Sequence, residues 1–147
     1  MEIIMLVFLI MTVIFLCVLS IYDIKTLTIP WWAAPAFGAA AAIVHFLMAD
    51  VTALWILAGL IPGGVLLILS FIFRSCVGSG DGLASAACGC ALGIGRETAA
   101  LCAAFVFCAI FCTILLIMRR VKRSDSLAFM PFLAAAHMVM LTAEVFL

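Results

Sequence analysis

Charge is what this sequence has least of. Only 10% of its 147 residues are Asp, Glu, Lys or Arg, while 70% are hydrophobic, and the mean hydropathy is +1.51. An ordinary soluble domain is about half apolar and about a quarter charged. So little polar surface cannot coat a globule in water, which excludes a soluble domain and leaves an integral membrane protein. Net charge is missing as well: seven basic and seven acidic residues cancel, which argues against a nucleic-acid partner. Paired cysteine motifs are also absent. The seven cysteines (17, 76, 88, 90, 102, 108, 112) lie almost wholly in apolar runs, and none belongs to a CxxC. No structural zinc site is expected from that spacing, and the cysteines read as small apolar residues. Cys88 and Cys90, two apart, point to different sides of a helix.

What the chain does have is apolar runs of bilayer length. Residues 3–21 are an uninterrupted run of about 19 residues, enough at 1.5 Å per residue to cross a hydrocarbon core of about 30 Å. The run starts beside Glu2 rather than basic residues, and no small-x-small cleavage site follows, so it reads as a transmembrane helix rather than a signal peptide. A short polar connection leads to Pro30, which suits the first turn of the next helix. Residues 31–48 form a second span, anchored by Trp31 and Trp32 and rich in alanine plus Gly38, small residues that let backbones approach. Residues 51–73 form a third, with a kink expected at Pro62-Gly63-Gly64. Residues 83–94 are too short to cross in contact with lipid. Gly82, Ala86, Gly89 and Gly93 recur there at steps of three and four, which predicts a helix buried among its neighbours. Residues 98–118 and 127–147 complete the set.

The fold class expected is therefore all-α: one integral membrane domain over residues 1–147, a polytopic bundle of six transmembrane helices. Alternation puts Lys25, Arg74, Arg119, Arg120, Lys122 and Arg123 on one side. Arg96 falls on the other, with Glu2, Asp50, Glu97 and Glu144. Basic loops stay in the cytoplasm, so both termini should lie outside, in a multi-pass protein of the cell's inner (plasma) membrane. His45 and His137 read as packing or hydrogen-bonded histidines within helices, and Glu144 as an outer-interface residue.

Two carboxylates stand apart. Asp81 sits between the glycine turn Gly78-Ser79-Gly80 and an apolar helix, and Asp23 ends the first apolar run. A charge at membrane depth is costly and marks a functional site by default. The topology puts both on the cytoplasmic side. Two carboxylates brought close in a poorly solvated site share a proton. The ionised one can then take a proton from water and the protonated one can donate to a carbonyl oxygen or leaving amine. This needs no metal and no cofactor. The glycines would let a substrate strand approach the site's backbone. The competing reading is two ordinary boundary residues, since Asp near a helix N-terminus is favoured as a cap and by the helix dipole.

Gly78-Ser79-Gly80-Asp81, followed by Ala86-Ala87, Gly89 and Gly93, resembles the GxGD motif of the type IV prepilin peptidase family. Ser20-Ile21-Tyr22-Asp23 with Ile29-Pro30 is similar to that family's first-aspartate motif, and Phe129-Met130-Pro131-Phe132-Leu133-Ala134 to its proline-phenylalanine signature. The three fall in family order over residues 20–136. The resemblance implies an aspartic endopeptidase that removes the basic leader of pilin-like precursors, of the Flp/Tad type among others, at the cytoplasmic face. It would cut after a glycine, before the precursor's hydrophobic helix. It implies Asp23 and Asp81 as the catalytic pair and Gly78, Gly80 and Pro131 as substrate-contacting residues. The partners implied are a prepilin-like protein and the bilayer, with homo-oligomers allowed. Trp31 stands where the family commonly has Asn, and Leu83 where it commonly has Lys. The chain has no cysteine-rich insert, as in the short, peptidase-only members. Two other readings stay open. A presenilin or signal-peptide-peptidase relative would share YD and GxGD but needs more helices and a Pro-Ala-Leu motif. A non-peptidase membrane protein could use the two aspartates as a proton or cation relay. That class includes a transporter or an inactive relative.

Overall fold

Helix is the one regular element among the described residues, as an apolar chain in lipid requires, because a helix satisfies its backbone polar groups within itself. A computed structural model describes residues 2–26, 28–48, 51–72, 78–118 and 128–146. The expected turn at Asp50, Arg74, Cys76, the basic run 119–123, Leu127 and Leu147 lie outside the described residues. Five helices follow in order: α1 (Glu2–Thr26), α2 (Ala33–Met48), α3 (Ala53–Ile72), α4 (Ser79–Ile117) and α5 (Met130–Phe146). Three of them, α1 from Ile3 onward, α3 and α4, are long and apolar enough to cross a membrane; α2 and α5 are shorter apolar helices.

The surface is inverted relative to a soluble protein. Large apolar side chains such as Ile14, Phe46, Phe71 and Ile117 face outward, while Thr12, His45, Ser85, Glu97 and His137 are wholly buried. With lipid outside there is no hydrophobic penalty for that exposure, and helices associate through close packing and interhelical hydrogen bonds. Trp31 and Trp32, just before α2, are both exposed, as interfacial anchors would be.

One sequence expectation is corrected. The connection expected after residue 21 is helical through Thr26, so Asp23 lies on the last turns of α1 rather than in a loop. The expected fourth and fifth spans both fall within α4, 39 residues in which two helices join at Gly93. A straight helix of that length would measure about 58 Å, about twice a hydrocarbon core. It is not straight. Gly93 has φ 81° and ψ 166°, a backbone state open to glycine and strained for other residues. Ser85 and Glu97 would be about 18 Å apart along a straight helix, yet their side chains hydrogen-bond at 2.6 Å. The chain therefore turns back at Gly93, and α4 consists of an entering arm (79–92) and a returning arm (94–117). α3 runs through Pro62 as a single helix, with Pro62 and Gly63 buried.

The entering arm is the centre of the bundle. It is buried at almost every position from Ala84 to Gly93, and α3 packs along it at backbone distance. A Cβ on Gly59 would overlap the carbonyl oxygen of Gly89, and a Cβ on Gly89 would overlap that of Gly59. Gly63 meets Ala86 in the same way, Leu67 fills the space beside Gly82, and the Trp55 ring covers Gly93. The small residues of the entering arm thus meet a matching series on α3, in antiparallel register. On the opposite side Gly38 of α2 lies against Ala87. The same core takes in Leu16 and Leu19 of α1, Ala100 and Ala104 of the returning arm, and Met130 and Leu133 of α5.

Candidate active site

Asp23 and Asp81 meet at one corner of this bundle. α1 delivers Asp23 near its C-terminal end, where the carboxylate is buried to 6% exposure. Its Oδ2 accepts a hydrogen bond of 3.1 Å from the backbone N–H of Met130, the first residue of α5. Asp81 lies in the first turn of α4, half-buried. Its carboxylate accepts from the Gly78 N–H, and its own N–H donates to the Gly78 carbonyl at 3.1 Å. Asp23 lies close enough for its charge to oppose ionisation of Asp81. Each also sits at a helix N-terminus, Asp81 at its own helix and Asp23 at α5, where unpaired N–H groups and the helix dipole favour an anion. The corner can thus hold negative charge on either residue while opposing it on both.

The glycine turn works differently from the expectation. Gly78 is the N-cap, with φ −72° and ψ 134°, an extended state that any residue adopts. What it supplies is room: a Cβ there would stand 2.9 Å from Asp81 Oδ2. The space beside Gly80 is filled by Ile29, whose side chain would lie 2.9 Å from an added Cβ. The close approach at Gly80 is made by the chain's own Ile29 rather than by open room for a substrate strand. Pro131 is the second residue of α5, next to the Met130 N–H that holds Asp23, so its motif is built into the same corner. Leu83, two residues beyond Asp81, is partly buried against the core. One turn before Asp23, the Ser20 hydroxyl is buried with no hydrogen-bond partner among the described residues.

A second polar group lies deeper. Ser85 Oγ donates to Glu97 Oε1 at 2.6 Å, and Glu97 Oε2 stands 3.2 Å from His137 Nε2. His137 Nδ1 is 2.9 Å from the Leu133 carbonyl, and Cys88 completes the group; all four side chains are wholly buried. His137 does make the interhelical contact expected of it. Glu97, expected at the outer boundary beside Arg96, is instead in the core. Arg96 points outward and pairs with Glu144 at 2.8 Å. The signal that could have found Glu97 is the rule that singled out Asp81: a lone carboxylate in an apolar stretch, with a serine twelve residues back and a histidine in a later span. His45 packs as expected, with Nε2–H donating to the Ala91 carbonyl at 3.1 Å and the ring stacked on Phe8 at 4.0 Å.

No family model matches this chain, and neither a curated protein nor a solved structure does.

Proposed function

We propose that this chain is a membrane-embedded aspartic endopeptidase of the prepilin peptidase kind. Its substrate would be a pilin-like precursor, and it would cleave the basic leader from that precursor at the cytoplasmic face of the inner membrane. The observation that carries the reading is the meeting of Asp23 and Asp81, remote in sequence, at one corner where the Asp23 charge acts on Asp81. The three motifs behind the resemblance converge there too, because Asp23 is held by the backbone of the proline-phenylalanine segment.

In this reading one carboxylate is ionised and the other carries a proton. The ionised one accepts a proton from water as the water oxygen bonds to the scissile carbonyl carbon. The protonated one donates to the carbonyl oxygen. The C–N bond then breaks as a carboxyl proton passes to the leaving amine while a hydroxyl of the tetrahedral intermediate returns its proton to the other carboxylate, so the pair again shares one proton. The helix N-termini at α4 and α5 oppose loss of negative charge from the corner during the cycle. The outward apolar face suits a substrate that is itself a lipid-embedded helix.

A structural reading has its own observation: both aspartates accept backbone N–H groups at a helix N-terminus. Asparagine separates the two, because it caps about as well as aspartate but cannot ionise. The test is cleavage of a co-expressed pilin-like precursor, read as a gel shift, with wild type beside Asp23→Asn and Asp81→Asn. Loss of cleavage in both, with the protein still inserted and folded, is the expected result. Near-normal cleavage by either variant removes that residue from the catalytic pair. No cleavage by wild type across several precursors turns the assignment to a relay or cap role.

A further inference from the structure

We propose that Cys88, Glu97 and His137 bind one divalent cation of the zinc class in the centre of the bundle. The ligands come from three separate helical arms: Cys88 from the entering arm of α4, Glu97 from the returning arm, His137 from α5. Their Sγ, carboxylate oxygen and ring nitrogen all lie within 4.8 Å of one another, and all three residues are buried. The expectation of no metal rested on CxxC spacing along the chain, and that spacing says nothing about ligands assembled from three arms.

The hydrogen bonds around the group set its chemistry. The Leu133 carbonyl can only accept, so His137 Nδ1 carries the ring proton that meets it at 2.9 Å. That leaves the Nε2 lone pair aimed at Glu97 Oε2, 3.2 Å away. Two acceptors at that distance need a positive species between them. Zinc bonds of about 2.0–2.1 Å at a tetrahedral angle put nitrogen and oxygen ligands about 3.3 Å apart. The other carboxylate oxygen is held by Ser85. A histidine tautomer fixed by a carbonyl and a carboxylate oriented by a second hydrogen bond are the outer contacts that metal ligands usually have.

A proton alone would also bridge Glu97 and His137, but it would leave Cys88 without a part. A thiolate, an imidazole and a carboxylate together suit a borderline-soft divalent ion. Charge balances as well. Binding releases two protons, one from the Cys88 thiol and one from the Glu97–His137 pair. The 2+ ion with one thiolate and one carboxylate is then neutral, as the protonated site was. Neutrality matters here, because an uncompensated charge in the bundle centre is strongly unfavourable. Bound there, the cation joins both arms of α4 to α5 and stabilises the folded state.

The test uses the full chain in detergent, stripped with chelator and titrated with Co²⁺. We expect one Co²⁺ per chain and a thiolate-to-cobalt charge-transfer band. Cys88→Ser should lose the charge-transfer band. Cys108→Ser/Cys112→Ser should keep it, which controls for the neighbouring sulfurs that lie 3.8 Å apart on the returning arm. Ser85→Ala should weaken Co²⁺ binding by about 10–100-fold. Substoichiometric metal, no thiolate band in wild type, or a band that survives Cys88→Ser overturns the proposal. If Cys88→Ser does not fold, Glu97→Gln carries the test: it keeps the amide oxygen for Ser85 and removes the anionic ligand, and unchanged Co²⁺ affinity overturns the site. None of these readouts depends on peptidase activity.

Discussion

The corner that holds Asp23 and Asp81 and the centre that holds Cys88, Glu97 and His137 are both polar sites in an apolar bundle, built in opposite ways. At the corner each carboxylate accepts from a backbone N–H at a helix N-terminus. Asp81 keeps part of its surface open. In the centre Ser85, Glu97 and His137 are joined side chain to side chain, with His137 also on the Leu133 carbonyl, and the burial is complete. The first arrangement leaves part of Asp81 open to the surroundings of the bundle. The second has no opening and ties three helical arms to one another. A polar residue in such a bundle can therefore serve chemistry or cohesion, and the kind of partner it has distinguishes the two.

Substitutions should separate the sites by which quantity they move. The largest effect belongs to the corner. Asp23→Asn and Asp81→Asn should each lower precursor cleavage by about 10²–10⁴-fold, the usual contribution of a positioned acid or base. Unfolding in detergent should change little, because asparagine preserves the cap. A variant that loses stability together with cleavage would make the corner resemble the centre and erase the contrast.

The centre should show the reverse order. Glu97→Ala removes one partner of a buried network and leaves Ser85 and His137 facing a void, a change that costs about 3–5 kcal/mol of stability. Glu97→Gln retains a hydrogen-bonding group at the same place and should cost less, about 1–3 kcal/mol. Both are measured by reversible unfolding in mixed detergent micelles. Equal stability of Glu97→Ala and wild type would show that the network contributes no cohesion.

The contrast also explains what could be read in advance. The helices were legible because a bilayer imposes a length and an apolar composition, and the small-residue series Gly82, Ala86, Gly89, Gly93 announced a buried helix. It could not announce its mate, since the α3 series around Gly59 and Gly63 acquires meaning only in antiparallel register. Asp23 and Asp81 stood out as isolated charges flanked by recognisable motifs. Glu97 is just as isolated in space, but Arg96 beside it made the pair look like a boundary loop. A helix sends successive side chains in different directions, and the turn at Gly93 sends Glu97 inward and Arg96 outward. The end of α1 was misjudged for a related reason. Polar residues at 23–26 suggest a loop, whereas the helix continues because the buried carboxylate of Asp23 finds its donor on α5.

Gly80 tests how tightly the corner is set. Its missing side chain is replaced by Ile29 at 2.9 Å from an added Cβ. Gly80→Val should push the 28–30 segment and the first turn of α4 apart and displace Asp81. A misplacement of about 1 Å can cost about 10²-fold in rate, with a packing cost of about 1–3 kcal/mol. Ile29→Ala in the same chain should return much of the lost cleavage by restoring room. If the double variant stays inactive while folding normally, the space at Gly80 serves the substrate itself and not the packing of Ile29.

The smallest effect should come from the surface charge pair Arg96–Glu144. Arg96 Nε and Glu144 Oε1 are 2.8 Å apart, with their side chains 40% and 29% exposed. An exposed pair of this kind contributes about 0.2–1 kcal/mol, because water competes for both charges and two long side chains lose rotamer freedom. Arg96→Ala should therefore leave cleavage unchanged and shift unfolding by no more than that, and added salt should shrink the difference further. Its neighbour Glu97, one residue along the same turn, should shift unfolding several-fold more. A loss from Arg96→Ala as large as that from Glu97→Ala would mean that this end of the bundle is held by its surface pair, and the division between open and closed polar sites would have to be redrawn around Gly93.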